Sequence, residues 1–395
     1  MFNDYELDVN QVSKELKLQL EIIRMENTEE LKAIDKERFV HIDWDHFLKL
    51  AIHHRIYSLI YVRLQELDET LIPAYVFEVL HRKFKKNTLQ MLHLSAEMEQ
   101  VSKSFTENEV RTLFLKGPVL AVDLYGDISL RTSSDLDILI SIDDLDRVEK
   151  LLFKQGYVKD DEILTVLNDW KWRHHHKTYY HSSKKITLEI HWRLSPGPSK
   201  EPQFEELWGR KRKSSLTHFP TYYLGREDLF LFLVSHGARH GWSRLRWLVD
   251  IHQLVRQKLD WGKLNRLLNK YQYLHLGGQA LILASQLLKT PMDEEMKPII
   301  VGNRPGRLAQ EAIFYMERMV NLHSNPVPED VYKYHRRHLF SLMSNLQKFF
   351  FVMSFLYPYP EDSEALPLPK HFHFLYFPLR PVLWAWRKTK KHVLS

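Results

Sequence analysis

Two aspartates separated by one apolar residue, Asp135-Leu136-Asp137, concentrate more acid in a short space than any β-like segment around them. On a strand, side chains alternate between faces, so both carboxylates share one face while Leu136 enters the core. Like charges at that spacing repel unless a cation or hydrogen bonds offset them, and a hard divalent ion with oxygen ligands is the usual partner. Glu189, within Ile186-Thr187-Leu188-Glu189-Ile190-His191-Trp192, alternates with Leu188 and Ile190 and leaves the core in the same way. If its strand neighbours the first, three carboxylates converge on a site able to hold two Mg²⁺ about 3.5–4 Å apart, the geometry of nucleotidyl transfer. The competing reading of a bare Asp-x-Asp is a pair of solvated turn acids.

The surrounding elements favour a built site. Val110 to Leu115 is a short apolar run ending at Lys116-Gly117-Pro118 and leading into Val119 to Leu124. A strand, a tight turn and a helix with proline at its first position account for this order. A second strand is predicted at Leu136 to Ile140, after the polar approach Arg131-Thr132-Ser133-Ser134. Asp143-Asp144 caps a helix with Leu145, Val148, Leu151 and Leu152 on one face, and Gly156 stops it. Tyr179-Tyr180-His181, Ser182-Ser183-Lys184-Lys185 and Ile186 to Trp192 carry the turn chemistry of a hairpin.

These elements predict a small mixed sheet over 106–195, with helical regions at 1–105 and 196–395, an α+β protein. In the first region apolar residues recur at three and four, as in Phe47, Leu48, Leu50, Ala51, Ile56, Leu59, Ile60 and Leu64. The helical period returns beyond the boundary cluster Ser195-Pro196-Gly197-Pro198, in Leu229 to Val234, Leu245 to Val255, Leu264 to Leu268 and Ala280 to Leu288. Six prolines between Pro358 and Pro381 exclude one long straight helix there.

Composition narrows the chemistry. The 395 residues include no cysteine, which removes disulfides, thiolate zinc sites, iron–sulfur clusters and a cysteine nucleophile together. A cytoplasmic location fits that absence. The formal charge of +6 suits an anionic ligand but lacks the density of a nucleic-acid binder, so a nucleotide is expected and DNA is not. The first residues, Met1-Phe2-Asn3-Asp4-Tyr5-Glu6, have neither a basic nor an apolar leader region, and Phe372 to Trp386 is too short and interrupted to span a bilayer.

Leu115-Lys116-Gly117-Pro118-Val119-Leu120-Ala121, Leu124-Tyr125-Gly126-Asp127, Arg131 and Asp135 to Ile140 together resemble the uncharacterised nucleotidyltransferase family of the DNA polymerase beta superfamily. Ile42-Asp43-Trp44 with Leu50 to Arg55, His236 to Trp242 and Leu245 to Asp250 resemble the family's flanking parts, so the likeness covers most of the chain. The resemblance implies a nucleotidyltransferase-type fold, Mg²⁺ dependence with Mn²⁺ as substitute, and a nucleoside triphosphate donor. It places Asp135 and Asp137 on the paired metal ligands and Glu189 on the third carboxylate. Most of the superfamily has Gly-Ser or Gly-Gly where this chain has Lys116-Gly117. Here Gly117 permits close phosphate approach, the following helix N-terminus attracts anions, and Lys116 supplies charge in place of the hydroxyl.

Arg131 is read as a phosphate contact or a solvated loop arginine. His236 and His240, spaced four apart, are read as lining the acceptor side of a cleft or as core and capping histidines. Asp250 is an acceptor-activating base or the salt-bridge partner of a neighbouring arginine. His174-His175-His176 cannot all chelate one ion if they alternate on a strand. The basic runs Arg210 to Lys213, Arg336-Arg337 and Arg387 to Lys391 are solvated faces or contacts for an anionic acceptor. Three functions follow in order: nucleotidyl transfer from a triphosphate to a hydroxyl or phosphate on a peptide or saccharide; transfer of a sugar or sugar phosphate from a nucleotide-sugar to a peptide or phosphopeptide; and nucleotide binding without catalysis.

Overall fold

The computed structural model describes residues 5–393 apart from 26, 161–164, 323 and 325, with side chains omitted at 69 and beyond 387. The first four residues of the leader reading, and the side chains of the basic run after Arg387, lie outside the described residues.

Seven strands form one sheet: β1 (Leu113–Phe114), β2 (Asp135–Leu139), β3 (Val158–Lys159), β4 (His176–His181), β5 (Ile186–His191), β6 (Arg212–Lys213) and β7 (Tyr222–Tyr223). They lie in the order β3-β4-β5-β2-β1-β7-β6, with β2/β5 and β1/β7 parallel and the other pairs antiparallel. Helices surround this mixed sheet, so the chain is an α+β protein. The hairpin β4–β5 forms where its turn chemistry places it. The run Val110 to Leu115 yields only two paired residues.

One face of the sheet is buried by period-2 alternation. Leu136, Ile138, Ile186, Leu188 and Ile190 pack with Met91, Leu94, Met98, Val101 and Phe105 of the 34-residue helix Ala74–Glu107. Leu145, Val148 and Leu152 of helix Leu145–Lys154 close the same core. The other face, carrying Asp135, Asp137, Glu189 and His191, is therefore turned from this core toward the later helices. Chief among them is helix Arg226–Arg239, whose residues Leu229 to Val234 are all buried in a second, larger core shared by the N- and C-terminal helices. The proline-rich segment breaks as expected, into Pro360–Ala365, Lys370–Leu375 and Tyr376–Val393. Among the described residues no helix is long and apolar enough to cross a membrane.

Candidate active site

Parallel pairing of β2 with β5 sets Asp137 directly beside Glu189, and Asp135 beside Thr187. Because register partners on neighbouring strands share a face, the carboxylates of Asp137 and Glu189 stand side by side. The turn after β1 delivers Lys116 to them: its Nζ lies 3.0 Å from Asp137 Oδ1. Gly117 makes the turn with φ +82°, and a Cβ there would touch Leu136 Cδ2 at 3.4 Å. Only glycine takes that backbone conformation without strain, and helix Pro118–Tyr125 begins immediately after it.

The electrostatics separate the two aspartates. Asp137 is 1% exposed, and burial alone would favour its neutral form, but Lys116 and then His191 outweigh this and hold its carboxyl below the usual carboxylate range. Asp135 is pushed above that range by burial and by the neighbouring Asp137 charge. Glu189 lies low because a hydrogen bond from His191 outweighs its burial.

His191 completes the group. Two residues after Glu189 on β5, it shares the carboxylate face, with Nε2 3.2 Å from Glu189 Oε2 and 3.3 Å from Asp137 Oδ1. Burial works against its charged form, yet the two acids raise its pKa. Donor atoms of Asp137, Glu189 and His191 all lie within 4.8 Å of one another, and His175, His176 and His191 form a second such group. The triplet reading is thereby refined. His175 precedes β4 rather than alternating within it, so it converges with His176 while His174 points to solvent. Asp135 stands one strand step away on the same face, outside both groups of three.

These residues fit a divalent cation. Asp137 is buried, and only its Oδ1 has a cationic or imidazole neighbour, Lys116 Nζ and His191 Nε2, so its Oδ2 has no partner among the described residues. Two carboxylates and a neutral imidazole are a recognised donor set for such ions. A family model described as an uncharacterised nucleotidyltransferase matches residues 41–289, more than half of the chain.

The chain belongs to that family.

It is accordingly a nucleotidyltransferase, with Lys116, Gly117 and the acidic strands all inside the matched span. No curated protein matches the sequence. Around the nucleotidyltransferase core, the structure distributes the remaining sequence candidates in two layers. The rings of His236 and His240 pack tilted against one another and both contact the Trp247 ring, His236 edge-on, and burial followed by the nearby Lys116 charge holds His236 well below its ordinary value. Arg239, which the sequence reading passed over, ends the same helix near Glu189 and Asp137; burial lowers its pKa against the pull of both acids.

Arg131 and Asp250 lie behind this face, at 1% and 0% exposure. Arg131 Nε and Nη2 each donate to Asp250 across 2.9 Å, and Tyr125 OH donates to Asp250 Oδ1 at 2.8 Å. Arg246 donates to the carbonyl and hydroxyl of Thr132. Together these bonds tie the loop before β2 to helix Leu245–Val255. Asp250 is ion-paired, but with Arg131 rather than with Arg244 or Arg246 of its own segment, and Arg131 is buried in that pair instead of being a solvated loop arginine.

Proposed function

We propose that Asp135, Asp137 and Glu189 hold one or two Mg²⁺ or Mn²⁺ ions with the triphosphate of a nucleoside triphosphate, and that the enzyme moves the nucleoside monophosphate to an acceptor oxygen. The observation that carries this is the register pairing of Asp137 with Glu189 beside the Lys116-Gly117 turn. The bound metal would neutralise charge developing on the phosphates. Lys116 offers an ammonium to the phosphate chain, and Gly117 lets that chain approach the amides opening helix Pro118–Tyr125. His191 keeps Asp137 and Glu189 oriented as a pair through its Nε2 contacts. As the bond from acceptor oxygen to α-phosphorus forms, the bond to pyrophosphate breaks.

Calorimetric titration with each triphosphate, with and without Mg²⁺ or Mn²⁺, tests the reading. Metal-dependent binding that Lys116→Met weakens tenfold or more is expected; equal affinity in that variant, or binding indifferent to metal, would contradict it. Intact-mass analysis of a hydroxyl- or phosphate-bearing peptide or saccharide incubated with the enzyme and either a triphosphate or a nucleotide-sugar then distinguishes a nucleotidyl adduct from a sugar adduct.

A further inference from the structure

A cavity of about 640 Å³ lies beside the carboxylate face, within the size range of small-molecule sites. The loop 195–199, the end of helix Arg226–Arg239 and helices Glu329–Leu342 and Asn345–Ser354 enclose it. Its lining is mainly apolar, with Leu339, Leu342, Met343 and Phe351 contributed by the late helices. Two arginines reach it. Arg173 is neutralised by Asp169 at 2.8 Å and packed over the Tyr359 ring. Arg239 differs: its Nε is buried with no hydrogen-bond partner, and among the described residues no carboxylate stands within ion-pair distance. With that Nε unpartnered at the cavity wall, Arg239 offers a donor that an entering carboxylate or phosphate would satisfy. Arg239 also feels the charges of Glu189 and Asp137, so a group held on it sits close to the reaction centre.

We propose that this cavity binds the acceptor, and that the acceptor is a compact amphipathic molecule or chain end, with an aliphatic or aromatic body against the late helices and one carboxylate or phosphate on Arg239. Calling the ligand an acceptor rests on the nucleotidyl-transfer reading; the binding chemistry does not. The family match ends at 289, and the cavity wall draws on both sides of that limit, with Pro196, Tyr273 and Leu276 inside it and Leu339, Leu342 and Phe351 beyond it. The acidic strands lie wholly in the shared part, whereas part of the wall does not. A bare saccharide suits such a wall poorly, because it would leave hydroxyls without hydrogen-bond partners.

Calorimetry with octyl phosphate, decanoate, octanol and inorganic phosphate tests this without nucleotide. Octyl phosphate or decanoate should bind at least tenfold more tightly than either octanol or inorganic phosphate. Arg239→Gln should remove the advantage of the anion over octanol. Leu339→Trp, which fills the wall without touching the charge, should weaken both amphipathic anions tenfold or more while the melting temperature confirms folding. No binding of either amphipathic anion, or inorganic phosphate equal to octyl phosphate, would overturn the proposal, as would an unaltered Leu339→Trp. If the amphipathic anions bind as expected but no triphosphate does, the cavity assignment stands and the nucleotidyl-transfer reading fails.

Discussion

Replacing Asp250 by Asn separates the structural role of its ion pair from a role in proton transfer. The carboxylate is fully buried, accepts two bonds from Arg131 at 2.9 Å and a third from Tyr125 at 2.8 Å. Burial opposes the charged form of Arg131, and Asp250 overcomes it, raising the arginine's pKa. The amide preserves shape and one acceptor but leaves the guanidinium buried without a counter-charge. Breaking a buried pair from one side costs about 3–5 kcal/mol. At about 2 °C per kcal/mol for a large domain, the melting temperature should fall by about 6–10 °C. Pairing Asp250→Leu with Arg131→Met should recover much of the loss, because no unpaired charge remains. The assay is thermal unfolding of Asp250→Asn beside the four members of the Asp250→Leu and Arg131→Met cycle, with turnover measured per folded molecule. An Asp250→Asn enzyme that keeps its melting temperature but loses turnover by about 10²-fold or more would refute this reasoning and make Asp250 a proton-transfer group.

Two further outcomes follow from buried groups. His252 is 2% exposed with Nδ1 2.8 Å from Thr290 Oγ1, and burial, then Arg256, lowers its pKa to about 4. Above the unfolded value near 6.5 both states are neutral; between there and 4 only the unfolded chain takes up the proton, so stability falls with falling pH, by up to about 3 kcal/mol, and then levels off. Denaturant titrations across that window should show a shallower decline in His252→Gln, and identical slopes would contradict the assignment. At Gly237 an added Cβ would come 2.5 Å from the Trp242 ring, so Gly237→Ala should lower stability by about 1–3 kcal/mol in urea unfolding, with an unchanged midpoint showing that the ring yields freely.

The acidic face was legible because alternation is a local property: Leu136, Leu188 and Ile190 point one way, so Asp137 and Glu189 must point the other. The same rule reaches His191, two residues further along β5 and on the same face as Glu189. Alternation within one strand would separate His175 from His176, but the strand begins at His176, and the two rings meet. Strands β3, β6 and β7 have two residues each, too few to show a period. The pairing of Arg131 with Asp250 joins residues 119 apart in sequence, and no local pattern announces it. Arg239 belongs to the same class: its helix was legible, but its placement beside Glu189 is set by how that helix crosses the sheet.

The central claim is that Asp137 and Glu189 hold the metal of a nucleotide complex. Crystals grown with Mn²⁺ and a non-hydrolysable triphosphate, examined by anomalous scattering, test it most directly. A manganese peak between the carboxylates of Asp137 and Glu189, with the triphosphate along the Lys116-Gly117 turn, is the expected result. Manganese bound elsewhere, or nucleotide bound away from that turn with the acidic pair unliganded, would contradict the account.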